Sequence, residues 1–177
     1  LAGCACAVEA IKVTLDHKKV ALGDIIFAST PSKSYARGVA SILHRGLTAD
    51  ASLYLHPAES GKGMGEIKAV ASGQLEFSIS VIGLAPDTTE PGHTAFSHLG
   101  VNPIDKAIKI IDALYQLNAA RNLRIKHEKI HKEVGRSTNL HISNIVSNDE
   151  HRLSRLNETC TFGGAISFPP GEDLSQV

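Results

Sequence analysis

The sequence has no surplus of either charge. Its 18 basic and 18 acidic residues leave a formal net charge of zero. Nucleic-acid binding rests mainly on a basic footprint, so the balance argues against a nucleic-acid partner. It also leaves no long-range field to steer a charged substrate. Cysteine is scarce. Cys4, Cys6 and Cys160 are odd in number and share no repeated spacing, so they encode no disulfide framework. Cys4 and Cys6 stand too close on one helix pattern to bridge each other easily. They read as small buried residues, and the cytoplasm is the default compartment. No apolar run approaches the roughly 20 residues that cross a bilayer. No basic stretch precedes the first apolar segment, as a signal peptide requires. Aromatics make up 5% of the chain, too few for a sheet that stacks RNA bases. There is no Gly-x-Ser-x-Gly elbow and no Cys/His pairing, which leaves serine and thiol hydrolase chemistry weakly supported.

What is present is ordinary globular material. The 177 residues are 42% hydrophobic and 20% charged, enough for one domain with a proper core or two small ones. Nine histidines are more than usual and make metal or pH chemistry worth testing. The chain opens at Leu1 without a methionine and enters a helix pattern at once. It is therefore expected to begin inside a longer protein.

Periodicity divides the chain in two. Val8, Ile11 and Leu15 share one face of a helix over residues 4–17. Gly23-Asp24 turns the chain into an apolar strand, Ile25-Ile26-Phe27-Ala28. A helix over residues 35–45 stops at Gly46, and residues 51–55 read as another buried strand. Helices alternating with short apolar strands predict part of a mostly parallel α/β sheet. After the flexible stretch Gly61-Lys62-Gly63-Met64-Gly65 the character changes. Leu75, Phe77, Ile79 and Val81 alternate with Glu76, Ser78 and Ser80, a strand with one wet face. A loop over residues 85–92 follows. Asn102 caps and Pro103 starts a helix over residues 103–117, with Ile104, Ile108, Ile111 and Tyr115 as its inward stripe. A polar helix over residues 126–134 comes next. Leu140, Ile142 and Ile145 mark one more strand and residues 159–168 another. Pro169-Pro170-Gly171-Glu172-Asp173 opens what reads as a further helix. This β-α-β-β order is a split β-α-β layout lacking its last helix and strand.

Several stretches, taken in order, resemble one family. They are Gly23-Asp24-Ile25-Ile26-Phe27, Gly46-Leu47-Thr48-Ala49-Asp50-Ala51, and above all the run from His93 through Ser97-His98-Leu99-Gly100-Val101-Asn102-Pro103-Ile104. Thr138-Asn139-Leu140-His141-Ile142 and Gly164-Ala165-Ile166-Ser167-Phe168-Pro169-Pro170-Gly171-Glu172 follow. Together they resemble the dinuclear zinc amidohydrolases and peptidases that include acetylornithine deacetylase, succinyl-diaminopimelate desuccinylase, aminoacylase and glutamate carboxypeptidase. The resemblance implies a partial α/β catalytic domain over residues 1–72. It implies an incomplete ferredoxin-like α+β lid, which dimerises, over residues 73–177. It further implies zinc or another divalent metal, a homodimer formed through the lid, and a small N-acyl amino acid or peptide as substrate.

By that resemblance His93 is the lid histidine that crosses the dimer to hold the scissile carbonyl or its oxyanion. Read from its surroundings alone, it is a surface loop residue. Asn102 is a helix cap first and a substrate contact second. His56 stands at a metal-ligand position, and Glu59 is near enough to be a second carboxylate or to orient a ligand. The plain alternative is a strand-ending histidine beside a solvated glutamate. The family's Glu-Glu pair, base and ligand, should follow residues 25–27. The sequence there reads Ser29-Thr30-Pro31-Ser32-Lys33-Ser34, with no carboxylate. A charged Lys33 cannot stand in for one. Active hydrolase and inactive dimeric relative therefore both remain open. His127 and His131 share a helix face at i and i+4, but Glu128 and Lys132 make that face a solvated one.

Overall fold

The computed structural model describes residues 2–17, 23–31, 36–55, 65–147 and 153–177. The chain divides into two compact units, Leu1–Ile67 and Lys68–Val177.

The first unit contains helices α1 (Ala2–Asp16) and α2 (Arg37–His44). The strands expected at residues 25–28 and 51–55 are not formed. Both segments are irregular, with Ile26 53% and Leu53 90% exposed. A strand of a parallel sheet needs neighbours to take its backbone N–H and C=O groups and cover both its faces. Among the described residues neither segment joins a β-ladder. The same lack of a covering layer leaves Val8 and Leu15 exposed on α1. Cys4 and Cys6 are likewise exposed, against the expectation that they are buried. Among the described residues of this unit Gly38 alone is buried. It lets α2 press on the backbone at Pro31 and the side chain of Thr30, where a Cβ would clash.

The second unit is an α+β fold with one antiparallel sheet. Strands β1 (Gly73–Ile82), β2 (Asn139–Ser147) and β3 (Thr159–Phe168) lie in the order β1-β3-β2. Since β1 and β2 both run antiparallel to β3, they are parallel to each other with β3 between them. The connection from β1 to β2 carries helix α3 (Pro103–Arg124) and then α4 (Glu128–Val134). This is the split β-α-β arrangement read from the sequence.

The alternation in β1 works as its residue types dictate from Phe77 onward, whereas Leu75, expected on the same covered face, is 38% exposed. Phe77, Ile79 and Val81 pack with Cys160 and Phe162 of β3 beneath Ala107, Ile110, Ile111 and Leu114 of α3. Phe162 is 1% exposed. On the opposite face Ser80 meets Thr161 across the strands at 2.9 Å. Gly164 sits between Phe77 of β1 and Ile142 of β2; a Cβ there would strike the His141 carbonyl. A bulge between Ile142 and Asn144 shifts the register of β2. Ile145, expected in the half-buried face, is 53% exposed beyond it.

Helix α3 is longer than its sequence signal and turned slightly from it. Its inner face runs through Ile104, Ala107, Ile111, Leu114 and Arg121, spacings of three, four and seven that hold one side of a helix. Ile108 and Tyr115, counted in that stripe by steps of four and seven, lie at its flank, 50% and 47% exposed. The last third of the inner face is polar. Asn118 offers Leu140 a peptide-like partner: its Oδ1 accepts from the Leu140 N–H at 2.9 Å and its Nδ2 donates to the Leu140 carbonyl at 3.2 Å. Arg121, 2% exposed, pairs with Glu172 at 2.9 Å and donates to the Thr138 hydroxyl at 3.2 Å. Thr138 in turn donates to the Ser167 carbonyl at 2.6 Å.

The further helix expected after residue 169 is a 3-10 turn, Leu174–Gln176. Gly171, at φ +85°, makes the bend that precedes it. Asp173 caps the turn, and the N–H and hydroxyl of Ser175 hold its carboxyl below the usual carboxylate range.

Two measurements check this packing. Arg121→Ala leaves Glu172 poorly compensated, so chemical denaturation should show a loss of about 3–5 kcal/mol; a change under 1 kcal/mol would contradict the ion-pair reading. Burial pushes the Cys160 thiol up, while Cys4 and Cys6 are exposed. A thiol reagent at neutral pH should therefore label two cysteines quickly and the third only on unfolding.

Candidate functional site in the 84–101 loop

The loop carrying His93 is fastened at two places. At its base Leu84 and Val101 exchange both backbone hydrogen bonds, at 3.0 and 2.8 Å. Gly83 and Gly100 allow this closure, since a Cβ on Gly83 would meet the Val101 carbonyl and Pro103, and one on Gly100 would meet the Leu84 carbonyl. Midway, His93 pairs with Arg155 of the segment between β2 and β3. Thr94 N–H donates to the Ser154 carbonyl at 3.2 Å, and Leu156 N–H donates to the Gly92 carbonyl at 2.7 Å. These bonds flank the His93–Arg155 pair, making it a non-hydrogen-bonded antiparallel pair, the type whose side chains stand closest.

His93 then caps the 3-10 turn Thr94–Leu99. Its Nδ1 accepts from the Ala95 N–H at 3.1 Å, so the proton of the neutral ring lies on Nε2. The imidazole is half-buried and meets Phe96 edge-on, with ring centroids 6.3 Å apart. It is thus a fixed hydrogen-bond donor rather than a freely rotating surface side chain.

Asn102 stands directly after this loop. Its Oδ1 accepts from the Ile104 N–H at 3.1 Å, capping α3, with buried Pro103 in the first turn. The cap role is the one its sequence position predicts. The surface beside it is a hollow of about 370 Å³ bordered by Ser97, His98, Asp105, Lys106 and Lys109. His93 and Asn102 belong to one continuous stretch, but their side chains are each engaged with local backbone rather than with each other.

His56, Glu59 and the loop residues 32–34 lie outside the described residues, so their placement is not part of the geometry. Among the described residues no group of three or more His, Cys, Asp or Glu side chains could hold a metal ion. The described residues therefore do not supply the donor set that zinc requires, and no chemical step is routed through a metal here. His127 and His131 do not form a helical ligand pair. His127 lies before α4 and caps it, its Nδ1 accepting from the Ile130 N–H at 3.4 Å.

A feature that the sequence did not disclose lies on the open sheet face. Glu76 and His141 both pair with Ala165 from opposite sides. With Gln74 and Ser143 they border a second hollow of about 370 Å³, floored by Gly163 and Ala165. Only the cross-strand register brings these residues together, and no spacing along the chain signals it.

Residues 88–177 match the family of the peptidase dimerisation domain, M20_dimer. The match spans half of the chain and takes in the His93 loop from its outer part onward, together with α3, α4, β2 and β3; the chain belongs to this family, and with it to the M20 peptidases broadly. No curated protein matches the chain. Family membership supports a homodimer, and the three-stranded α+β unit is compatible with a dimerisation lid. No helix among the described residues is long and apolar enough to cross a membrane.

The cap role gives a direct check. Asn102→Ala should cost about 1 kcal/mol of stability in a denaturant titration, and Asn102→Asp should cost much less because aspartate also caps well.

Proposed function

We propose that the protein is a metal-dependent hydrolase that cleaves amide bonds of N-acyl amino acids or small peptides. Residues 1–72 belong to its catalytic domain and residues 73–177 form its dimerisation lid. The observation that carries this reading is the family match over residues 88–177. Metal dependence is typical of that family, and zinc is the proposed ion. His56 is a candidate ligand, and Glu59 is a candidate second ligand or orienting carboxylate. The lid is proposed to pair with a second copy through its edge strand and the helix that begins after Asn102. Its antiparallel sheet has free edges at β1 and β2 among the described residues, and a free edge readily pairs with another chain.

His93 is the proposed contact to the scissile carbonyl oxygen or the oxyanion that forms from it. Two facts support this role. The ring is held in place by Ala95 and Phe96, and with Nδ1 accepting, Nε2–H is left as its donor. A donor fixed before the reaction needs no reorganisation as negative charge develops, which is why such groups lower barriers. Asn102 is proposed as an adjacent substrate contact, subordinate to its cap role.

One observation favours a second reading, a non-catalytic dimeric relative that binds or regulates. The segment Ser29 to Ser34 carries no carboxylate where the family's base and ligand are expected.

Metal analysis and hydrolysis assays on the purified full-length protein separate the two. The hydrolase reading expects bound zinc and turnover of N-acyl amino acids, with His93→Ala lowering kcat about 100-fold or more. Absence of both metal uptake and turnover sinks it in favour of the binding protein. Turnover that His93→Ala leaves intact removes His93 from the site.

A further inference from the structure

We draw no further inference here: the strongest candidate, the hollow that Gln74, Glu76, His141 and Ser143 border on the open face of the sheet, carries none, because these side chains are all exposed and nothing in the structure shows what covers that face.

Discussion

The second unit hangs on one buried cation. The Arg121 guanidinium, near the end of α3, is removed from water and held by Glu172 and Thr138. Those partners lie 51 and 17 residues further along the chain. Three parts are thereby tied to one point: the end of α3, the residue that leads into β2, and the segment that follows β3. Thr138 passes the connection on to the Ser167 carbonyl in β3. Burying such a charge is expensive, and its attraction to a carboxylate repays the cost only with good geometry and further hydrogen bonds. The pair is therefore a device for specifying which segments meet rather than a large net source of stability. The apolar contacts of Phe77, Ile79, Val81 and Phe162 beneath α3 supply the general drive to collapse.

That division of labour explains the shape of α3. Here the apolar contact ends at Leu114, and Asn118 and Arg121 continue the same face in polar form. Asn118 imitates a neighbouring strand by serving both backbone groups of Leu140. The helix thus registers β2 against β3 by hydrogen bonds at one end and by side-chain volume at the other. The sheet it covers has one wet face and a bulged outer strand, both of which suit a surface layer that meets another molecule.

Much of this unit was legible in the chain. The alternation in residues 74–81 gave β1 and its wet face, because a strand covered on one side must sort its side chains by twos. Asn102-Pro103 gave the start of α3, because cap chemistry is local. Other features were not legible, for physical reasons. Ile108 and Tyr115 looked inward by helical spacing, but a stripe repeating at three and four residues has two plausible edges, and only the sheet beneath selects one. Nothing in the sequence joins Arg121 to Glu172, because their partnership is purely tertiary. The apolar runs at residues 25–28 and 51–55 read as strands, yet a strand exists only with a partner, which composition cannot supply. At the candidate site, His93 stood out through family resemblance alone. Its fixed ring and its pairing with Arg155 depend on a segment some 60 residues away in the chain.

The double fastening of the loop over residues 84–101 separates two lengths that would otherwise be linked. The outer lobe, residues 85–91, begins at the Leu84–Val101 closure and ends at the bonds that hold His93 to residues 154–156. Residues can be gained or lost ahead of Glu90 without shifting the histidine, since the bonds that hold it, its own N–H to the Glu90 carbonyl at 2.9 Å included, begin only at that residue. Doubling the length of a flexible loop costs only about 0.6 kcal/mol in closure entropy. The lobe is thus free to vary in size and composition, a rim that can be remodelled for new contacts, while the histidine behind it keeps its address.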